Sequence, residues 1–282
     1  MQWFPGHMAK SMKALEAIKN DVDFVIEIVD SRAPKATSNS FLLDIFKGVP
    51  IITVLTKASL TDKKRAHEFT VKQKTLGHDY VLFDSVTRFG EKPLLEAFKK
   101  ITEEKRLKAK SKGMLKPEIK AVVIGIPNVG KSTFINFLKG RKVLAVENRP
   151  GVTKTINFVK TNFGFQIYDT PGILPPKITN EVYAVEIALC LGIKKTQIDT
   201  ELVVLWFLEY LEVNYPVALI NRYKRRFLNF DFLSFLNEVG KSIGLMKNGQ
   251  VEYERLYERI INDFQKGYLG ELFLERVRTG LN

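Results

Sequence analysis

The sequence predicts an α/β fold, a mostly parallel sheet with helices on both faces, followed by an all-α C-terminal domain. Three observations carry that expectation. Up to Tyr168, short apolar runs alternate with polar or amphipathic segments, as strands alternate with crossover helices in parallel sheets. One apolar run, Ala121–Ile124, stops at a glycine loop that opens a helix. Beyond Pro175–Pro176 strand-like runs mostly disappear, and apolar residues recur every three or four positions, as in a helix bundle. The expected division is residues 1–177 for the α/β domain with its N-terminal arm and 178–282 for the helical domain.

The arm opens with Trp3 and Phe4 beside a Pro5–Gly6 turn signal. Aromatic residues at a terminus are expected to dock against the body or a partner. A helix is predicted over Met8–Asn20. Asp23–Val29 is the first strand and ends in the loop Asp30-Ser31-Arg32-Ala33-Pro34. A short helix is expected near Ser40–Phe46, then a second strand, Pro50–Leu55, ending at Thr56-Lys57-Ala58-Ser59. A polar helix over about Asp62–Leu76 leads to a third strand, Tyr80–Phe83, which opens into Asp84-Ser85-Val86. The next helix spans Pro93–Lys110. Ligands of such sheets bind at the carboxyl ends of the strands, where all these loops emerge.

After the fourth strand the spacing is G-x-x-x-x-G-K-S, with Gly125, Gly130, Lys131 and Ser132 in the marked positions. Glycines let the backbone of Asn128, Val129 and Gly130 curl so that N–H groups point at phosphate oxygens. Lys131 adds positive charge for the outer phosphates and Ser132 offers a hydroxyl to magnesium. The helix that follows, Thr133–Leu138 and ended by Gly140, presents its positive end. Strand, motif and helix in that order imply nucleotide binding. Two further strands, Ile156–Thr161 and Phe165–Tyr168, lead to Asp169-Thr170-Pro171-Gly172. An aspartate there suits the carboxylate that holds magnesium through water, and Gly172 can bring an N–H to the terminal phosphate. Thr153, in Arg149–Lys154, is a candidate second hydroxyl on magnesium. Helices are then expected over Glu181–Leu191, Thr196–Val213, Pro216–Phe227, Asp231–Val239 and Val251–Phe264.

The net charge of +13 is unevenly placed. Residues 1–179 hold 31 basic and 17 acidic residues, whereas 180–282 hold 13 and 14. The densest segment, Lys99–Lys120, holds nine basic and three acidic residues. Such a surface attracts polyanions, and RNA is the commonest in the cytosol. The cluster Asn221–Arg226 fits RNA contact and a solvated helix face equally well. A single cysteine, Cys190, excludes an internal disulfide and reads as a buried thiol. No apolar run approaches the ~20 residues of a membrane span, and the N-terminus lacks signal-peptide character. A cytoplasmic location is the default expectation. The three histidines are scattered and form no metal-ligand cluster.

These motifs resemble those of translation-factor-class GTPases in rotated order. The base-reading candidate Thr56-Lys57-Ala58-Ser59 and its companion Asp84-Ser85-Val86 precede the phosphate loop, the order of circularly permuted P-loop GTPases. The opening Gln2-Trp3-Phe4-Pro5-Gly6-His7-Met8-Ala9-Lys10, with Asp30-Ser31-Arg32-Ala33-Pro34 and a late Lys247-Asn248-Gly249-Gln250 turn, is similar to the YlqF/RbgA type of bacterial ribosome-biogenesis GTPase. The resemblance implies GTP hydrolysis coupled to late assembly of the large ribosomal subunit, with the subunit precursor and its rRNA as partner. It implies a monomer off the ribosome, with no membrane or DNA partner. Nucleotide contacts are implied for Thr56, Lys57, Ala58, Ser59, Asp84, Ser85, Asn128, Val129, Gly130, Lys131, Ser132, Thr133 and Gly172, and magnesium contacts for Ser132, Thr153 and Asp169. Catalysis falls to Lys131, Gly172 and His7. Ile173 stands where Ras-like enzymes carry a water-orienting glutamine, so His7 on the arm is the family's candidate for that task. Asn128 resembles the residue that lets related enzymes use potassium.

Two positions depart from the pattern: Thr56 stands in place of the motif's asparagine and Ser59 in place of its aspartate. The family's base-reading motif is Asn-Lys-Ala-Asp, and its aspartate accepts two hydrogen bonds from guanine. Here Ser59 offers a neutral hydroxyl. Charged hydrogen bonds contribute roughly 1.5–3 kcal/mol against about 1 for neutral ones, so guanine binding is expected to weaken by one to two powers of ten. The competing reading is a nucleotide-responsive RNA scaffold with weak or base-unselective hydrolysis. A helicase-like ATPase is weaker, because no further ATPase motif set is present.

Overall fold

The computed structural model describes residues 6–114, 117–140, 157–191, 199–226 and 231–275. Helix α1 (Gly6–Ile18) leads to the central strand β1 (Phe24–Asp30), in which every residue is buried. That burial explains its near-continuous apolar run, since a parallel strand is covered on both faces. Two charged residues interrupt it, Glu27 in the middle and Asp30 at its end. The Glu27 carboxylate accepts from Ser38 Oγ at 2.7 Å, Asn39 N at 3.1 Å and Thr53 Oγ1 at 3.0 Å. Burial nonetheless pushes its pKa above the usual carboxylate value.

Short helices α2 (Pro34–Thr37) and α3 (Ser40–Ile45) precede β2 (Ile51–Thr56). Helix α4 (Lys63–Thr75), capped by the Asp62 side chain, leads to β3 (Asp79–Leu82). Helix α5 (Glu91–Ser111) then crosses to β4 (Lys120–Ile124), which feeds α6 (Lys131–Lys139). The antiparallel pair β5 (Asn157–Lys160) and β6 (Gln166–Asp169) completes a sheet of order β3-β2-β1-β4-β6-β5, parallel everywhere except at β5. Strand β4 follows β3 in sequence yet lies beside β1. The chain therefore reverses its direction of travel across the sheet between β1 and β4, and a crevice opens at their carboxyl ends.

The C-terminal part is built of α7 (Glu181–Leu191), α8 (Thr200–Asn214), α9 (Pro216–Tyr223), α10 (Phe232–Ser242) and α11 (Tyr253–Gln265). A two-stranded hairpin, β7 (Met246–Lys247) and β8 (Gln250–Val251), interrupts them. One helix ends earlier, and another begins later, than the spacing suggests. Helix α9 stops at Tyr223, where Lys224 takes a left-handed conformation with φ 57°, and α8 starts at Thr200, where the Asp199 side chain accepts from the N–H groups of Glu201 and Leu202.

One apolar core runs without a break from the sheet face under α5 and α6 into α7–α11. A second, on the opposite face, joins α1 and α3 to Tyr168 and Ile173. Among the described residues no single helix is long and apolar enough to cross a membrane; α8 and α9 qualify only as a pair bent by 113°.

Candidate functional site

The carboxyl ends of β1, β2, β3, β4 and β6 deliver Asp30, Thr56–Ser59, Asp84, Gly125–Gly130 and Asp169–Gly172 to one crevice. The phosphate loop turns into α6 at Gly130, whose φ of 98° is a backbone state that glycine adopts without strain. The first N–H groups of α6 have no intrahelical acceptor and, with the helix dipole, form an anion site. Ser132 and Thr133 are exposed there. Lys131 extends across the crevice to Asp169, Nζ to Oδ1 3.0 Å, with side-chain exposures of 11% and 25%.

Gly172 presses on the same loop. A Cβ added to it would stand 2.9 Å from both Cα and N of Pro127, so only glycine permits this approach. The next residue, Ile173, is buried in the second core. Its N–H donates to Gly125 O at 3.2 Å and its carbonyl accepts from Asn39 Nδ2 at 2.8 Å. Ile173 is thus a packing residue, consistent with its inability to orient water.

The base side is held by different chemistry. Thr56 is buried, and its hydroxyl contacts the carbonyls of Val29, at 2.9 Å, and of Val129 in the phosphate loop. It ties β2 to that loop and does not point outward as a base reader would. Lys57, in a left-handed conformation with φ 59°, sends Nζ to Asp30 Oδ2 and to Asn128 O, each at 2.8 Å. Ala58 is buried in the single-turn helix Ala58–Leu60, and Ser59 is exposed on it. Ser59 Oγ lies 2.6 Å, and its N–H 3.0 Å, from Asp84 Oδ2. Ser85 follows, half-buried. Asn128 spends its amide N–H on the carbonyl of Leu191 at the end of α7, 3.1 Å away.

The sequence marks Asp30–Pro34 as a loop and a family signature, but not as a buried charged cluster beneath Lys57. Asp30 is fully buried and accepts from Arg32 N, Nε and Nη2 as well as from Lys57. Burial pushes its carboxyl up, but the charges and hydrogen bonds of Arg32 and Lys57 outweigh it, and Asp30 is held well below the usual range. Arg32, also buried, donates from Nη1 to Phe264 O at 2.9 Å and lies 4.2 Å from the centre of the Phe264 ring. An acid closing an apolar strand, the same signal that points to Asp169, was present at Asp30. Its arginine partner two residues on was readable too, whereas the contact with α11 was not.

Among the expected site and docking residues, Thr153, Trp3 and Phe4 lie outside the described residues. His7 falls in the first turn of α1, and its side chain is likewise outside the description. In the basic cluster Asn221–Arg226 the three arginines meet acids of the same chain, and Lys224 Nζ donates to the Asn221 carbonyl at 2.9 Å. Arg222 bonds Asp263 from Nε and Nη2 at 2.7 and 2.8 Å, Arg225 pairs with Glu238, and Arg226 with Glu212. Arg225 and Arg226 lie beyond the end of α9, so the cluster is not one helix face. Cys190 is buried, and burial pushes its thiol pKa up, as expected of a structural cysteine.

Comparison with known proteins agrees with this geometry. The model of a family described as 50S ribosome-binding GTPase matches residues 120–225. Ribosome biogenesis GTPase A of Bacillus licheniformis is 35% identical over 98% of each chain. The protein of the same name from Thermotoga maritima is 28% identical over 98% of this chain and 94% of its own. The crystal structure of GNP-bound YlqF from T. maritima superimposes with a TM-score of 0.68, covering 95% of this chain and 98% of that one at 23% identity, which shows a shared fold.

Proposed function

The chain belongs to the ribosome biogenesis GTPase A family, and from that premise we propose that the crevice at the β1–β4 switch point binds GTP and hydrolyses it during assembly of the large ribosomal subunit. The fold is a circularly permuted GTPase with a helical C-terminal region, and the activity class is GTP hydrolysis in ribosome biogenesis. The finer assignments are ours. One observation carries them: Lys131, Asp169 and Gly172 converge on one phosphate loop at the carboxyl end of a parallel sheet.

In this reading the N–H groups from Asn128 to Thr133 bind the phosphates, with Lys131 and the N–H of Gly172 placed to stabilise charge on the terminal phosphate as it is transferred to water. The hydroxyl of Ser132 and the carboxylate of Asp169 are hard oxygen donors, the set that suits magnesium, with Thr153 as a third. When bound, the metal neutralises phosphate charge. Asn128 has committed its amide N–H, so a potassium ion there would meet its oxygen. Attack by water needs an orienting group; Ile173 is buried and cannot serve, and the resemblance to the family assigns the role to His7, in the first turn of α1.

The partner is proposed to be the large-subunit precursor and its rRNA, met by the basic excess of residues 1–179. Residues 1–177 would act as the switch and 178–282 as the ribosome-facing unit of a cytoplasmic monomer. The scaffold reading is disfavoured by the family membership and by the presence of Lys131, Ser132, Asp169 and Gly172. The test is steady-state hydrolysis of GTP and of ATP with and without large ribosomal subunits. Slow GTP turnover that accelerates on subunits supports the proposal; GTP binding without acceleration supports the scaffold.

A further inference from the structure

Ser59 closes Thr56-Lys57-Ala58-Ser59, which resembles a base-reading motif that ends in an acid, and its surroundings change what its hydroxyl can do. It is exposed at the mouth of the base side, while its partner Asp84 is only 3% exposed. Asp84 Oδ2 accepts from Ser59 Oγ at 2.6 Å and from Ser59 N at 3.0 Å. Asp84 Oδ1 accepts from the N–H groups of Val86 and Thr87, each at 2.9 Å. Two donors on each oxygen fill the acceptor capacity of a carboxylate. Asp84 therefore has nothing left to offer a base directly. Its burial pushes its pKa up, but the Ser59 hydroxyl and the N–H groups of Thr87, Ser59 and Val86 outweigh that, and the carboxyl is held below its usual value. Asp84 is charged at neutral pH.

An ionised carboxylate carries no proton, so the hydrogen between the two oxygens belongs to Ser59. A serine hydroxyl has one donor and two lone pairs. With the donor committed to Asp84, the solvent-facing side of Ser59 Oγ presents lone pairs alone, enriched by the neighbouring negative charge. We propose that Asp84 fixes Ser59 as an obligate acceptor, and that this pair restores guanine selectivity to a motif that has lost its acid. The pairing edge of guanine offers two donors, N1–H and the exocyclic amine, to such an acceptor. The corresponding ring nitrogen of adenine is itself an acceptor, and its lone pair would oppose those of Ser59. A free serine could rotate its proton to satisfy either base; this one cannot. Ser59 is then the contacting residue and Asp84 the positioning residue.

The proposal rests on the crevice being the GTP site, and the experiment separates the two. Calorimetry on the full chain with magnesium would compare GDP, inosine diphosphate, which lacks the exocyclic amine, and ADP. Measurements would cover the unaltered protein, Ser59→Ala and Asp84→Asn. In the unaltered chain GDP is expected to bind at least about tenfold tighter than ADP, with inosine diphosphate between them. Ser59→Ala, an exposed truncation, should weaken GDP about tenfold and leave ADP unchanged. Asp84→Asn keeps an oxygen for Val86 and Thr87 but turns an amine toward Ser59, freeing the hydroxyl proton. The GDP-to-ADP ratio should then collapse toward one. A purely structural Asp84 would lower both affinities together and leave the ratio standing, which would overturn the relay. Equal affinities of the unaltered protein for all three nucleotides would overturn the proposal and leave phosphate recognition intact. Failure of any nucleotide to bind would remove the GTP site and the proposal with it.

Discussion

Lys131 Nζ and Asp169 Oδ1 stand 3.0 Å apart. The cation expected to face the phosphates and the carboxylate expected to face the metal thus neutralise each other, and a bound nucleotide has to compete with that pair. Asp169→Asn removes the competitor along with a negative charge beside the phosphates. In EDTA the variant should bind GDP several-fold tighter than the unaltered protein, and added magnesium should erase the gain. Lys131→Ala should abolish triphosphate binding under both conditions. Fluorescent-nucleotide titration reads all four cases, and unchanged affinity in Lys131→Ala would remove the phosphate-loop assignment.

Gly172 meets the backbone of Pro127 with no room for a Cβ. Gly172→Ala should push the two loops apart and misplace the N–H offered to the terminal phosphate. GTP turnover should fall by two orders of magnitude or so while GDP affinity changes little, since a lost transition-state donor costs about 10²–10³ in rate. Single-turnover hydrolysis with parallel GDP titration checks the split.

Asp30 joins Arg32 and Lys57 in a buried cluster. Its folded carboxyl sits below its unfolded value, so its contribution to stability is fully present above the ordinary carboxylate range and is lost as pH falls through that range and below. Asp30→Asn leaves Arg32 buried without its counter-charge and should cost about 3–5 kcal/mol at pH 7. Urea unfolding between pH 7 and 3 should show the loss shrinking toward the acid end, as Asp30 of the unfolded chain takes up its proton. A constant difference across that range would mean Asp30 does not act through its charge.

His7→Ala should leave nucleotide affinity intact and lower turnover on ribosomal subunits by 10²-fold or more, the range typical of a lost acid–base or positioning group. Full stimulated activity would take His7 out of the mechanism.

Much of this fold was legible because its strands obey one simple rule. β1, β2 and β4 are buried on both faces, so they read as continuous apolar runs, and each begins and ends within one residue of its predicted bounds. Helix α7 matches its prediction at both ends. Hairpin β7–β8 was seen only as its turn, with Asn248 and Gly249 both at positive φ, because two-residue strands are too short to show alternation. Side-chain partnership was harder. Asn221–Arg226 reads as a free basic cluster until Glu212, Glu238 and Asp263 arrive from three other elements. Thr56 reads as a damaged base contact until its hydroxyl is found on the phosphate loop. Local pattern reports which side of an element is buried; it does not report what distant residue is buried with it.

The contact between Arg32 and Phe264 belongs to a longer seam. Leu272 N–H donates to Leu60 O at 3.1 Å, Leu274 N–H to Arg32 O at 2.7 Å, and Thr61 Oγ1 to Leu272 O at 3.3 Å. Lys35 N–H donates to the Glu275 carboxylate at 2.5 Å. The loops after β1 and β2, which shape the base side of the crevice, thus find their partners in some of the last described residues. Those contacts join positions as much as 240 residues apart in sequence, so shaping the base side means closing nearly the whole chain into a loop, the kind of non-local contact that slows folding.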